Sequence, residues 1–252
     1  FTGSLLIGHA TTGTISSANY NTALGILALN ALTTGDNNLA VGYNAGTEIT
    51  EGSSNVLVGK GSGVSLTTGS KNVAIGTDTL QTEDTGNFNI AIGFETLKNL
   101  NYDGNAYNVA VGYQAGKEVT TGVRNILVGG FAGGSLTTGV HNVAMGYSAL
   151  ATEDTGSRNT ALGYQALKNL NIDSSAYNVA VGHHAGLSVT TGTKNTLVGG
   201  LAGDAITTGE YNVALGQNAL SAEDTGSRNI AIGFEALRDL NYDGTSYNVA
   251  IG

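Results

Sequence analysis

The chain has 252 residues and a formal net charge of −9, and it contains no cysteine, proline or tryptophan. Without cysteine it can form neither disulfides nor thiolate metal sites. The acidic balance argues against a binder of nucleic acid or of anionic membranes, because both partners require a cationic surface. No apolar run is long enough to cross a bilayer.

A five-residue motif, Asn-x-apolar-x-Gly, recurs along almost the whole chain. Successive copies are 17 residues apart, except that the fifth, ninth and thirteenth intervals are 19. A degenerate copy, Ser4 to Gly8, lies one period before the first. Regular recurrence of this kind is the signature of a repeat architecture. The motif begins at Asn21, Asn38, Asn55, Asn72, Asn89, Asn108, Asn125, Asn142, Asn159, Asn178, Asn195, Asn212, Asn229 and Asn248.

Three intervals of 17 and one of 19 make a superrepeat of 70 residues, which divides the chain. Residues 1–37 are expected to form irregular leading coils. Superrepeats follow at 38–107, 108–177 and 178–247, and 248–252 begin a further coil. We expect one continuous solenoid that belongs to a longer polypeptide. Each superrepeat contains a coil with Leu in the middle of the motif, a coil that runs into Glu-Asp-Thr-Gly, and a coil with two extra residues.

The three residues between Asn and Gly predict a short β-strand. The first and third are mostly Val, Ile or Leu, an alternation typical of strands, but the residue between them is also apolar. Both faces of the strand are therefore expected to be covered. With one face filling the coil, we expect the small middle residues to line an outer face that packs against partner chains. The candidates for this oligomer interface are Ala40, Ala110, Ala180 and Ala250.

The glycine that closes each motif predicts a corner, because glycine accepts positive φ and close backbone contact. The asparagines are expected to stack as a structural ladder of amide hydrogen bonds and to cap the turn backbone. Together these features predict an all-β fold, a parallel β-solenoid or β-roll of about fifteen coils of 17–19 residues. The corner glycines are Gly42, Gly59, Gly76, Gly93, Gly112, Gly129, Gly146, Gly163, Gly182, Gly199, Gly216 and Gly233.

Paired carboxylates are the most suggestive groups for chemistry. They stand at Glu83-Asp84, Glu153-Asp154 and Glu223-Asp224, and such pairs can serve glycoside hydrolysis or bind Ca²⁺. Neighbouring residues on a strand point to opposite faces, and the three pairs recur four coils apart. We therefore predict solvated turns, with no catalytic residues, no metal site and no cofactor.

His183-His184 is interpreted as a substitute for a surface aromatic pair.

The loops with two extra residues offer weak candidates for glycan contact. An aromatic residue beside a carboxylate occurs at Tyr102-Asp103 and at Tyr242-Asp243, and aromatic rings stack on sugars. The middle superrepeat has Ile172 in place of tyrosine. This loss favours the simpler interpretation, in which the tyrosine covers the coil edge and the following turn is structural.

Strings such as Asn72-Val73-Ala74-Ile75-Gly76 and Asn229-Ile230-Ala231-Ile232-Gly233 resemble the head repeats of YadA-like trimeric autotransporter adhesins. Similar repeats occur in bacteriophage and other viral tail fibres. The resemblance implies a left-handed parallel β-roll, assembled as a homotrimer and located outside the cell or on a virion surface. The present coils are longer than the typical head repeat, and Val, Ile, Leu or Thr replaces the usual Ser after Asn.

Three functions are compatible with these features. The favoured one is a non-catalytic structural shaft that extends a phage or viral attachment fibre toward a cell-surface receptor. The alternative is the head of a bacterial surface adhesin or an extracellular filament, and the remote alternative is a solenoid carbohydrate-active enzyme. The expected partners are copies of the chain itself, and a glycan or protein receptor bound through regions outside this chain.

Overall fold

The computed structural model describes residues 5–7 and 17–252, and these residues form a parallel β-solenoid. The predicted fold class is confirmed, although Ser4, Gly8 and part of the leading coils lie outside the described residues. All described strands have three residues and begin directly after a motif asparagine or its equivalent. They are β1 (Leu5–Ile7), β2 (Thr22–Leu24), β3 (Leu39–Val41), β4 (Val56–Val58), β5 (Val73–Ile75), β6 (Ile90–Ile92), β7 (Val109–Val111), β8 (Ile126–Val128), β9 (Val143–Met145), β10 (Thr160–Leu162), β11 (Val179–Val181), β12 (Thr196–Val198), β13 (Val213–Leu215), β14 (Ile230–Ile232) and β15 (Val249–Ile251).

The chain divides into two compact units, residues 1–125 and residues 126–252. The first unit contains β1 to β7 and the second contains β8 to β15. Within each unit, every strand pairs in parallel with the next, so that equivalent residues of successive coils are neighbours. Ala40 pairs with Leu57 in the first unit, and Ala180 pairs with Leu197 in the second. One turn of the chain therefore returns it to the same place in the next coil.

The structure corrects the predicted orientation of the strands. The middle residues Ala40, Ala110 and Ala180 have no exposed surface within their own chain, so they cannot line an interface with a partner. Ala250, in the last strand, is half-buried. The reason is the strand period of two, which places the middle residue on the same face as the asparagine two positions earlier. Since the asparagine lies inside the coil, the alanine lies inside as well, and the flanking Val, Ile and Leu residues point outward.

Large and small residues are paired inside the coils, and this pairing explains why the superrepeat contains coils with Leu in the middle of the strand. Coils with Ala in the middle of the strand commonly carry a buried Leu in the turn, as in the pair Ala214 and Leu220. The coil with Leu197 instead carries Gly203, and a Cβ at that glycine would lie 2.7 Å from Leu197 Cδ2. Gly186 in the preceding coil makes room for the same side chain, at 2.8 Å from Cδ1. Leu197 therefore fills space left by two glycines, as Leu57 does between Gly46 and Gly63.

The corner glycines are required by both backbone angle and space, as predicted. Gly42 has a φ of +138°, and a Cβ there would lie 2.5 Å from the carbonyl oxygen of Gly59 in the next coil. Such a contact is far inside van der Waals distance, and the φ is one that side-chain-bearing residues rarely adopt. The other corner glycines have φ between +127° and +144°. The backbones of successive coils therefore stack directly on one another at this corner.

Candidate functional surfaces

The asparagines form a buried ladder through the interior of each unit. The side-chain oxygen of Asn38 accepts a hydrogen bond from the backbone N–H of Asn55 at 3.0 Å, and its Nδ2 donates to the carbonyl of Gly52 at 2.8 Å. The amide thus links neighbouring coils and also braces its strand against the turn 14 residues later. Thirteen of the fourteen motif asparagines are buried, and Asn248 is half-buried. Both predicted roles of the ladder, stacking and capping, are present, and its function is structural.

The three glutamates of the Glu-Asp-Thr-Gly turns are buried, so the prediction of fully solvated turns is wrong for them. Glu83, Glu153 and Glu223 have no exposed surface. They occupy the interior position that holds Ile49 or Leu66 in other coils. Backbone donors compensate for this burial. Glu83 Oε1 accepts hydrogen bonds from the N–H of Gly86 at 2.7 Å and of Asp84 at 3.1 Å.

The buried glutamate also holds the loop that contains the two extra residues. Glu83 Oε2 accepts a hydrogen bond from the backbone N–H of Tyr102 at 3.3 Å. Glu153 and Glu223 receive equivalent bonds from Ile172 and Tyr242, each at 3.4 Å. Desolvation by burial raises the pKa of Glu83 to about 7, against the lowering effect of these backbone hydrogen bonds. The same cause raises the pKa of Glu153.

The candidate glycan residues lie on the long loops, where their aspartates have structural partners. Asp103 Oδ1 accepts a hydrogen bond from the Thr85 hydroxyl at 2.7 Å, and Asp243 accepts the equivalent bond from Thr225 at 2.9 Å. The middle superrepeat has the same bond although it lacks the tyrosine. The aspartate is therefore explained by the loop alone. Open surface pockets adjoin Tyr102 and Tyr242, and glycan contact there remains a prediction.

Aromatic rings stack along the corner that follows the closing glycines. Phe94 and Tyr113 stack with ring centroids 5.4 Å apart in the first unit. In the second unit, Tyr147 stacks on Tyr164 at 5.7 Å and Tyr164 stacks on His183 at 5.3 Å. His183 thus takes the place of an aromatic ring, as the sequence predicted. Because the rings cover one another's faces, this corner is a poor platform for sugar stacking.

The outer face of the strands is a surface of aliphatic side chains that sequence reasoning assigned to the interior. Its residues are the first and third of strands β2 to β15, and they are partly or fully exposed. Met145 is 43% exposed, Ile126 41% and Ile230 37%. We call this surface the outer strand face. The period of two that places the middle Ala inside also places its two neighbours on this outer face, because successive residues of a strand lie on opposite faces.

No group of three or more His, Asp or Glu side chains that could hold a metal ion occurs among the described residues. The same residues contain no helix long and apolar enough to span a membrane. Comparison with protein-family models, with curated proteins and with solved structures finds no match to this chain. The resemblance to adhesin and tail-fibre repeats therefore depends on the strand motif alone.

Proposed function

We propose that this chain is a non-catalytic structural element that assembles with copies of itself through the outer strand face. The observation that carries the proposal is the aliphatic character of that face. Large exposed apolar patches are unusual on soluble monomers and mark surfaces that become covered. Met145 and Ile230, in different coils, are both among its exposed members.

A second copy of the chain is the partner that fits this face best. The face repeats once per coil, so an identical chain can match it coil by coil, whereas an unrelated partner would need the same periodicity. Closed homo-oligomers are also the commonest form of protein assembly. The resemblance to adhesin head repeats favours three chains, and we propose a homotrimer.

The proposed role of the assembly is the shaft of a phage or viral attachment fibre, located outside the cell or on the virion. Support comes from the motif resemblance and from the repetition of one superrepeat, which suits a spacer. A bacterial adhesin head or extracellular filament is the alternative. Sequence that flanks this segment in its gene separates them: a virion-attachment domain supports the shaft, whereas a membrane-anchor barrel contradicts it. Cleavage of a polysaccharide by the purified chain would contradict the non-catalytic assignment.

Assembly is tested by placing charges on the outer strand face. Met145→Glu combined with Ile230→Glu should convert the oligomer to monomers, because charges at the centre of an apolar interface are costly to desolvate. Light scattering coupled to size exclusion gives the mass. Thr191→Glu combined with Thr208→Glu adds the same charge at exposed turn positions and should leave the mass unchanged. An unchanged oligomer in the first variant, with its β-sheet circular dichroism retained, would refute assembly through this face.

A further inference from the structure

The residue that precedes each motif asparagine forms an exposed column beside the strands. In the second unit, six successive coils alternate cation and tyrosine at this position. All six side chains are exposed, and all six residues have positive φ, between 51° and 64°. We call them the pre-asparagine column: Arg158, Tyr177, Lys194, Tyr211, Arg228 and Tyr247.

The cations and rings of the column are in contact. The Arg158 guanidinium lies 5.6 Å from the centre of the Tyr177 ring. Tyr211 lies between two cations, with Lys194 Nζ at 4.6 Å and the Arg228 guanidinium at 4.9 Å from its ring centre. Lys194 Nζ also donates a hydrogen bond to the Tyr211 hydroxyl oxygen at 2.6 Å. These contacts hold the charged groups in a row while leaving them open to solvent.

The column concentrates positive charge on an acidic chain. Residues 126–252 contain five Lys and Arg against ten Asp and Glu, and three of the five cations are in the column. None of these three forms a salt bridge among the described residues, although the carboxylate Glu210 directly precedes Tyr211. No acidic residue occupies the position before any of the fourteen motif asparagines. The segregation keeps a row of cations available to an anionic partner.

The backbone does not account for these residue types. A positive φ favours glycine and asparagine, and Asn37 fills the same position in the first unit. Arginine, lysine and tyrosine add nothing to the buried core at an exposed site. What they add to the fold is the set of cation–ring contacts between neighbouring coils, and these contacts leave the charges open to a ligand.

We propose that the pre-asparagine column binds an acidic polysaccharide. Adjacent parallel strands are about 4.8 Å apart, so that cations in alternate coils lie roughly 9.6 Å apart. This spacing matches the length of an extended disaccharide and thus a glycan with one carboxylate in each disaccharide. Guanidinium and ammonium groups pair with the carboxylates. The intervening tyrosine hydroxyls can donate to sugar hydroxyl groups.

Nucleic acid fits the column less well. Each strand of B-DNA carries one phosphate for about every 3.4 Å of rise along the helix axis, so its charges are much denser along the axis than those of the column. The column is therefore assigned to a polymer with widely spaced charges.

The test measures binding of hyaluronate decasaccharides, which carry one carboxylate per disaccharide, by calorimetry at low salt. A triple variant, Arg158→Gln, Lys194→Gln and Arg228→Gln, should raise Kd at least about tenfold, since hydrogen bonds between charged groups are the stronger ones. The control variant Lys98→Gln, Lys168→Gln and Arg238→Gln removes the same charge outside the column, and its Kd should change less than about twofold, as expected of screened surface charges.

Three outcomes would overturn the proposal. They are no binding of hyaluronate by the unaltered chain, equal weakening in the control variant, and tighter binding of a DNA duplex than of hyaluronate under the same conditions. Tyr177→Phe, Tyr211→Phe and Tyr247→Phe together should weaken binding of hyaluronate, because the hydroxyls that donate to the sugar are lost. Light scattering on each variant reports the oligomer separately, so failure of glycan binding is distinguishable from failure of self-assembly.

Discussion

In three coils, a glutamate takes the interior position that holds Leu, Ile or Val elsewhere. Glu83 satisfies its carboxyl oxygens with backbone N–H groups of its own turn and of the next coil's long loop. An aliphatic side chain would leave the N–H of Gly86 and Tyr102 without these acceptors, at a cost of about 1–3 kcal/mol for each buried donor. The glutamate thus accommodates the two extra residues of the next coil.

Burial of this carboxyl makes stability depend on pH. Its pKa is about 7 in the folded chain against an ordinary 4.5, so the protonated form favours folding. The contribution is fully present below about pH 4.5 and is lost as the pH rises through 7. We expect the free energy of unfolding of the unaltered chain, relative to Glu83→Gln, to fall by on the order of 1–3 kcal/mol between pH 4.5 and 8.

Urea unfolding at several pH values measures this difference. Glu51→Gln, which alters an exposed carboxyl, is the matched control. If Glu83→Gln destabilises the chain equally at every pH, hydrogen bonding by the charged carboxylate dominates and the expected pH dependence is wrong.

At this scale, the sequence predicts the residues that recur at the same position of successive coils. Gly42 and Asn38 are of this kind, a corner and a ladder, and both roles are found. The burial of Glu83 depends on a donor at Tyr102, 19 residues away, so the local string Glu-Asp-Thr-Gly does not reveal it. The positive φ of Lys194 and of the other residues in the pre-asparagine column cannot be predicted from the sequence either, because no glycine occupies that position.

At the scale of the coil, the pairing of Leu197 with Gly203 determines how the interior is filled. Leu197→Ala should destabilise the chain by about 2–5 kcal/mol, since it opens a cavity in a tightly packed interior. Gly203→Leu alone should also destabilise it, because the new side chain would overlap Leu197. Together the two changes recreate the Ala214–Leu220 arrangement, and the double variant should recover part of the loss.

Thermal or urea unfolding of the two single variants and the double variant gives the coupling free energy. Leu220 has a φ of 55° and Gly203 a φ of 56°, so the backbone of the coil already accepts leucine there. Additive losses in the double variant would show that Leu197 and Gly203 do not share space as the structure indicates.

The strand positions follow from the sequence, but the direction in which the strands face does not follow from apolarity alone. Val179, Ala180 and Val181 are all apolar, so the pattern offers no polar residue to mark the solvent side. The asparagine at position 178 settles the matter, because its buried amide and Ala180 must share a face. The assignment of Ala180 to the outside is wrong, and coverage of the outer strand face stays a prediction.

At the scale of the whole chain, the 70-residue superrepeat sets the order in which coils with large and with small buried side chains follow one another. Deletion of residues 178–247 joins Tyr177 to Asn248 and preserves that order. Deletion of residues 195–211 removes only the coil of Leu197 and leaves Gly186 beside Ala214, with the space unfilled. We expect the variant that lacks residues 195–211 to have the lower unfolding temperature, because only that deletion creates a cavity.

Differential scanning calorimetry of the two deletion variants checks this order, and circular dichroism verifies that each folds. If the longer deletion melts at the lower temperature, the number of stacked coils governs stability rather than the order of their interiors.

The position before each asparagine has a consequence for how such a chain can change. Its left-handed backbone is the same in every described coil, while its side chain ranges from serine to arginine. The buried residues therefore fix the fold, and this position presents one variable side chain per coil, about 4.8 Å from the next. Single substitutions can change this row of side chains one coil at a time without a change in the buried residues.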